Sequence, residues 1–240
     1  GSPRPDYGTN AIEEANRLLN GELKYFSHEY HQTGFPPNWH KDPITNYQLP
    51  IGLHWSQISD DSATDIKFIW EPNRFAFVYT LVRAYAATKN EKYPQAFWQL
   101  IQDWADHNPP NTGANWKDGQ EIALRIMAWT FGFYAFIHSP STTPEHIAQF
   151  TQLIAAQAER IHANIGYAIS TRSNHTISEA FGLWMVGLLF PELKDAEKYF
   201  TLGKRLLEEE AAKQIFPDGS YAMYSLNYHR FILHLYLYAI

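Results

Sequence analysis

"TPEHIAQFTQLIAAQAERIHANI" (Thr143–Ile165) is followed by "SNHTISEAFGLWMVGLLF" (Ser173–Phe190), and the contrast between these two stretches decides the fold. The first repeats apolar residues at helical spacing and keeps a clear polar face. Thr143 is placed to cap it, with Pro144 at the first helical position and Glu145 in the first turn. The second is apolar nearly all round, as a buried helix is, and Pro191 stops it. A surface helix followed by a buried one is a helical hairpin with an outside and an inside.

The same alternation extends in both directions. Polar-faced helices are predicted over "EKYPQAFWQLIQDWADH" (91–107), closed by Asn108-Pro109-Pro110, and over "DAEKYFTLGKRLLEEEAAKQI" (195–215). Apolar helices are predicted near 72–88, with Pro72 at the first position, 118–138, 173–190 and 225–240. Their starts recur roughly every fifty residues, the period of a stacked hairpin array. The fold class expected is all-α: an incomplete (α/α) toroid of helical hairpins with an inner and an outer ring. It is preceded by a helix over "NAIEEANRLLNGEL" (10–23), with acidic residues in its first turn, and by an aromatic, Pro-rich loop over 34–62. No alternating strand pattern competes. "RFILHLYLYAI" (230–240) has neither cap nor polar closure. Residues 1–240 are therefore expected to be one N-terminal toroid domain of a longer protein, with an apolar open edge that favours self-association.

Bulk properties narrow the function classes. Of 240 residues, 45% are hydrophobic and 18% charged, below the usual ~25%. That composition suits a sizeable core rather than a disordered chain. No apolar run approaches the ~18 residues of a membrane span. A net charge of -6 argues against a nucleic-acid partner. The absence of cysteine excludes disulfides and thiolate metal sites. The zinc-protease spacing H-E-x-x-H is missing; His28-Glu29-Tyr30-His31 is one residue too short and reads as a solvated helix end. G-x-S-x-G, P-loop and G-x-G-x-x-G patterns are missing too, so neither metal nor cofactor is expected. Gly1-Ser2-Pro3 reads as a cleavage scar, which hides any natural leader. Eleven histidines direct attention to acid–base chemistry and anion contacts.

The starts of the apolar helices are unexpectedly polar. The 72–88 helix starts among Glu71 and Arg74. The 118–138 helix follows Asn115-Trp116 and carries Glu121 and Arg125. The 173–190 helix carries Asn174, His175 and Glu179, and the 225–240 helix carries Tyr228 and His229. On one rim of a toroid these groups would converge on a cavity. Glu71, Glu121, Arg125 and Glu179, with Arg74, also suit a buried ion-pair lattice that supports a site without touching substrate. Asn174 is equally suited to cap a helix. Trp116, Trp70, Trp55 and Trp39 offer faces that stack on sugars or simply fill a core. A tyrosine such as Tyr228 serves as general base and acid where a basic neighbour lowers its pKa.

Four stretches taken together, "DIKFIWEPNRF" (65–75), "LVRAYAATKNEKYPQAFWQLIQDWADHNPPNTGANWKDGQEIALRIMAW" (81–129), "SNHTISEAFGLWMVGLLFPEL" (173–193) and "DGSYAMYSLNYHR" (218–230), resemble the N-terminal toroid of the heparinase II/III-like polysaccharide lyases, of heparinase III and oligoalginate lyase type. The resemblance runs from about Ile12 to the end. It implies β-elimination on a uronic-acid-containing polysaccharide: a base removes the C5 proton, an acid protonates the leaving O4, and an unsaturated sugar results. By that resemblance Asn174 and His175 neutralise the uronate carboxylate as charge builds up, Tyr228 exchanges the proton, and Arg74, Asn115, Trp116 and His229 bind substrate. Met223 and Tyr224 stand where the family usually has an acidic or polar residue, which bears on substrate preference. The family also continues into a β-sandwich that supplies another catalytic His, so residues 1–240 alone are expected to be inactive. A periplasmic or secreted location follows from the resemblance. A toroidal glycoside hydrolase recruiting Glu71, Glu121 and Glu179, or a non-catalytic glycan-binding module, are the alternatives.

Overall fold

The computed structural model describes residues 7–59 and 64–240, which fold as two compact units. Gly1-Ser2-Pro3 and the last residues of the 34–62 loop lie outside the described residues. Unit 1 comprises residues up to Lys117 together with Ala128–Leu153, and unit 2 comprises Asp118–Met127 and Ile154–Ile240. Among the described residues no helix is long and apolar enough to cross a membrane.

Unit 1 opens with α1 (Tyr7–Leu19) and a short antiparallel hairpin, β1 (Glu22–Tyr25) with β2 (Glu29–Gln32). Then come α2 (Lys67–Asn73), α3 (Val78–Thr88) and α4 (Lys92–His107). The hairpin corrects three expectations. The first helix stops at Leu19, because Gly21 takes φ +84 and turns the chain into β1. It also starts earlier than expected, so Glu13 and Glu14 lie past its first turn. His28-Glu29-Tyr30-His31 is a hairpin turn and strand, not a helix end.

The helix expected over 72–88 is broken in two. Pro72 sits in the last turn of α2 rather than at a first position, and Phe75 takes φ +57. That left-handed step is costly for a bulky residue. It drives a fully buried ring onto Trp39, stacked at 5.1 Å, and edge-on to Trp129 at 5.3 Å. Tertiary packing thus overrides the local helical pattern. Arg74, the C-cap of α2, and Arg83 on α3 consequently do not share a helix.

α5 (Gly119–Phe136) and α6 (Pro144–Thr171) follow, then α7 (Asn174–Leu189), α8 (Ala196–Gln214) and α9 (Leu226–Ala239). The helices expected at 118–138, 173–190 and 225–240 match α5, α7 and α9 closely. In unit 2, α7 is buried along most of its length against α8. Gly203 makes this possible: a Cβ there would sit 2.5 Å from the Trp184 backbone nitrogen. The apolar helices are not equally enclosed. α7 is core, whereas α9 buries only Ile232 and Leu235 and leaves Leu233, Leu237 and Tyr238 exposed.

Candidate functional site

Local sequence chemistry sets the position of Asn174 and His175. α6 ends at Thr171, Arg172 steps into the left-handed region at φ +49, and Ser173 returns to extended backbone. The Ser173 hydroxyl accepts the His175 backbone N–H at 3.3 Å, so Ser173 is the cap of α7. Asn174, the alternative cap, is thereby left with its side chain available. Its Nδ2 donates to Gln120 Oε1, which also accepts the Ser178 hydroxyl at 3.2 Å.

The start of α5 meets the start of α7 here. Asp118 Oδ1 accepts the Glu121 backbone N–H at 3.1 Å, and Asp118 Oδ2 lies 3.6 Å from His175 Nδ1. One carboxylate therefore caps α5 and lies beside the imidazole. The His175 side chain is one-third exposed. A turn deeper, Glu179 is buried, facing Asp118 and Arg160. Burial pushes its carboxyl up to about 8, the Asp118 charge pushes the same way, and Arg160 opposes. Gly119 makes room for it, since a Cβ there would lie 2.3 Å from the carboxyl carbon.

Tyr228 stands in the first turn of α9, 41% exposed, with His229 beside it half-buried. Burial chiefly raises the phenol of nearby Tyr221, and the charges of Glu210 and then Tyr228 add to it. Unit 2 therefore carries Asn174, His175 and Tyr228, each at or near a helix start.

The five residues expected as an ion-pair lattice have partners within their own units. Arg125 is wholly buried; its Nε donates to Gln157 Oε1 at 2.7 Å, burial depresses its pKa, and the Glu121 charge opposes that. Glu179 faces Arg160. In unit 1, Glu71 Oε2 accepts from Arg74 at 2.7 Å, and its Oε1 accepts the Phe26 N–H at 3.0 Å. Glu71 therefore fastens the β-hairpin turn to α2.

Asn115 and Trp116, also in unit 1, are expected to bind substrate, but the structure buries both. Asn115 Nδ2 donates to Trp39 O and Asn108 Oδ1, and Trp116 Nε1 donates to Asn108 O at 3.1 Å. Asn73 joins the same network, donating to Trp39 O at 2.9 Å and accepting from Trp104 Nε1 at 2.6 Å. These side chains hold the aromatic loop in place; they present no face to a ligand. Trp39 is likewise core, with Nε1 on Asp103 at 2.7 Å.

Gln120, Asp118 and Arg160 escaped the sequence reading. A glutamine on a helix carries no motif, and Asp118 reads only as a helix start. Among the described residues no cluster of three or more His, Cys, Asp or Glu has metal-site geometry.

A heparin-sulfate lyase of Bacteroides thetaiotaomicron is 30% identical over 183 residues, which is 74% of this chain and 25% of that one. A heparin-sulfate lyase of Pedobacter heparinus is 29% identical over 67% of this chain and 24% of its own length. The chain thus spans about a quarter of these relatives. The crystal structure of the heparan sulfate lyase HepC from Pedobacter heparinus matches at a TM-score of 0.70 and 23% identity, over 99% of this chain and 34% of that one. That likeness concerns fold, and it supports the all-α toroid class read from the helix alternation. The family model described as heparinase II/III N-terminus matches residues 4–240, so the chain belongs to the heparinase II/III N-terminus family.

Proposed function

We propose that this chain is part of a polysaccharide lyase that cleaves a uronic-acid-containing glycan by β-elimination, with a glycosaminoglycan of the heparan sulfate class as preferred substrate. The observation that carries the reading is the start of α7, where a serine cap frees Asn174 and His175 and the α5 start orients both. Asn174 offers an amide N–H to the substrate carboxylate without titrating. His175, backed by Asp118, offers a second donor. Together they stabilise the enolate-like charge that develops when the C5 proton leaves. Tyr228 takes that proton and returns one to the leaving O4. Glu179, neutral over much of the pH range through its raised pKa, adds little negative charge where an anion must bind. Arg74 and His229 are proposed to contact the substrate, and Glu71, Glu121, Arg125 and Glu179 to support the site. Names of the relatives favour a glycosaminoglycan over alginate. A periplasmic or secreted location, and self-association through the exposed side of α9, belong to the same proposal; sedimentation of the 240-residue chain tests the latter.

The test is product analysis with the full-length enzyme on heparan sulfate, alginate oligomers and other uronate polymers. Elimination gives a new ultraviolet absorbance from the unsaturated sugar. New reducing ends without that absorbance would identify a glycoside hydrolase, and binding without cleavage would identify a glycan-binding module.

A further inference from the structure

Gln214, the last residue of α8, is buried, and its amide is fully engaged. Nε2 donates to Glu210 Oε2 at 2.7 Å and to the Ser173 carbonyl at 3.1 Å. Oε1 accepts the Tyr221 hydroxyl at 2.8 Å. Its main chain is engaged as well, because Gln214 O accepts the Ala222 N–H at 2.8 Å. Ser173 is the cap of the helix that bears Asn174 and His175. Tyr221 lies on the loop that runs from the end of α8 into α9, whose first turn holds Tyr228. One side chain therefore joins the element holding the carboxylate-neutralising pair to the loop that leads into α9, the helix holding the proton-exchanging tyrosine. Glu210 is fixed in turn by Lys213 at 2.9 Å, so the amide cannot rotate without losing three partners.

We propose that Gln214 is a positioning residue, which sets the spacing between Asn174–His175 and Tyr228 by tying the α7 cap to the loop that leads into α9. This rests on the lyase reading above. β-Elimination needs both groups on one sugar ring at once, one at the carboxylate and one at C5. A fixed distance between them is therefore worth more to the reaction than to substrate binding.

The experiment is a double-mutant cycle in the full-length enzyme. Gln214→Met keeps the side-chain volume and removes all three hydrogen bonds. It is measured alone and with Asn174→Ala, for kcat and KM on heparan sulfate and for Tm. Gln214→Met is expected to lower kcat about 10–10²-fold, the scale of a small misplacement of reacting groups, with KM within about twofold. In the Asn174→Ala background that drop should shrink severalfold, because only His175 is left at that end of the distance Gln214 maintains. The same fold-loss in both backgrounds, or no loss in either, would overturn the proposal. Should Gln214→Met not fold, Tyr221→Phe breaks the bridge at a single bond and carries the same cycle with the same two outcomes. If the wild-type enzyme forms no unsaturated product, the lyase reading falls and the proposal with it. If it does and the cycle is additive, only the role of Gln214 falls.

Discussion

Asn115-Trp116 and Asn174-His175 look alike in sequence: an amide beside an aromatic ring, just before or at the start of a helix. The structure separates them. Both hydrogens of the Asn115 amide go to protein oxygens, and the Trp116 ring is closed off, with its N–H on a carbonyl. Asn174 gives one amide hydrogen to Gln120, and the His175 ring stays one-third exposed. A pair whose donors all end on protein is scaffold. A pair whose donors are only partly used by the protein is the one proposed to meet a ligand. Burial alone does not distinguish them, since Asn115 and Asn174 are 1% and 2% exposed; the destination of each hydrogen does.

The sharpest way to break this contrast is to remove one functional oxygen and one scaffold ring. In the full-length enzyme, Tyr228→Phe should leave Tm unchanged and lower turnover by the ~10²–10⁴-fold typical of a lost general acid–base. The measure is unsaturated-product absorbance on the preferred substrate. Trp116→Ala should do the reverse in kind. It deletes a fully buried ring and leaves the Asn108 carbonyl without its donor, costing about 3–5 kcal/mol of stability. Its effect on rate should follow the fraction folded, as seen by thermal melting and by activity at low temperature. Near wild-type turnover for Tyr228→Phe would make the tyrosine an ordinary surface aromatic. A stable Trp116→Ala with a selectively raised KM would return Trp116 to the binding site.

Much of the fold could be read from periodicity. α5, α7 and α9 lie within two residues of their expected bounds, because long apolar helices closed by proline or capped by serine carry strong local signals. The failures are local patterns overruled from a distance. Phe75 continues an apolar helical run, yet it turns left-handed to reach Trp39, thirty-six residues earlier in the chain. The hairpin of β1 and β2 is four residues a side, too short for alternation to register. At the site, the residues with distinctive chemistry were legible as candidates. Their orienting partners were not: Gln120, Gln214 and Arg160 have no motif, and their meaning lies in which helix start they reach.

A smaller effect concerns the carboxyl beneath the site. In the folded protein Glu179 is held near 8 against an ordinary 4.5. Between those values the folded state keeps a proton that the unfolded chain has released. Folding stability due to this group is therefore full below about pH 4.5 and declines as pH rises toward 8. Glu179→Gln imitates the protonated acid and removes the decline. Melting temperatures from pH 5 to pH 9 should show the variant gaining on the wild type as pH increases. A parallel pair of curves would mean that Glu179 is ionised in the fold and balanced by Arg160.

The smallest effect expected is that of Arg83→Ala, and it tests whether α3 meets the ligand. Arg83 is exposed on α3, and its guanidinium donates to Thr80 Oγ1 at 3.3 Å. It borders a cavity of about 340 Å³ whose other polar walls include Glu14, Glu22, Lys24, Tyr30 and Glu71. Most of those charges already answer one another: Lys24 with Glu14, Arg17 with Glu22, and Glu71 with Arg74. Three carboxylates on the walls also oppose an acidic glycan. Removing an exposed arginine from such a surface should change stability by less than ~0.5 kcal/mol and leave kcat/KM on heparan sulfate as it was. A several-fold rise in KM at unchanged kcat, shrinking with added salt, would instead show that this cavity's rim meets the polyanion. The proposed ligand-facing surface would then have to be extended to α3.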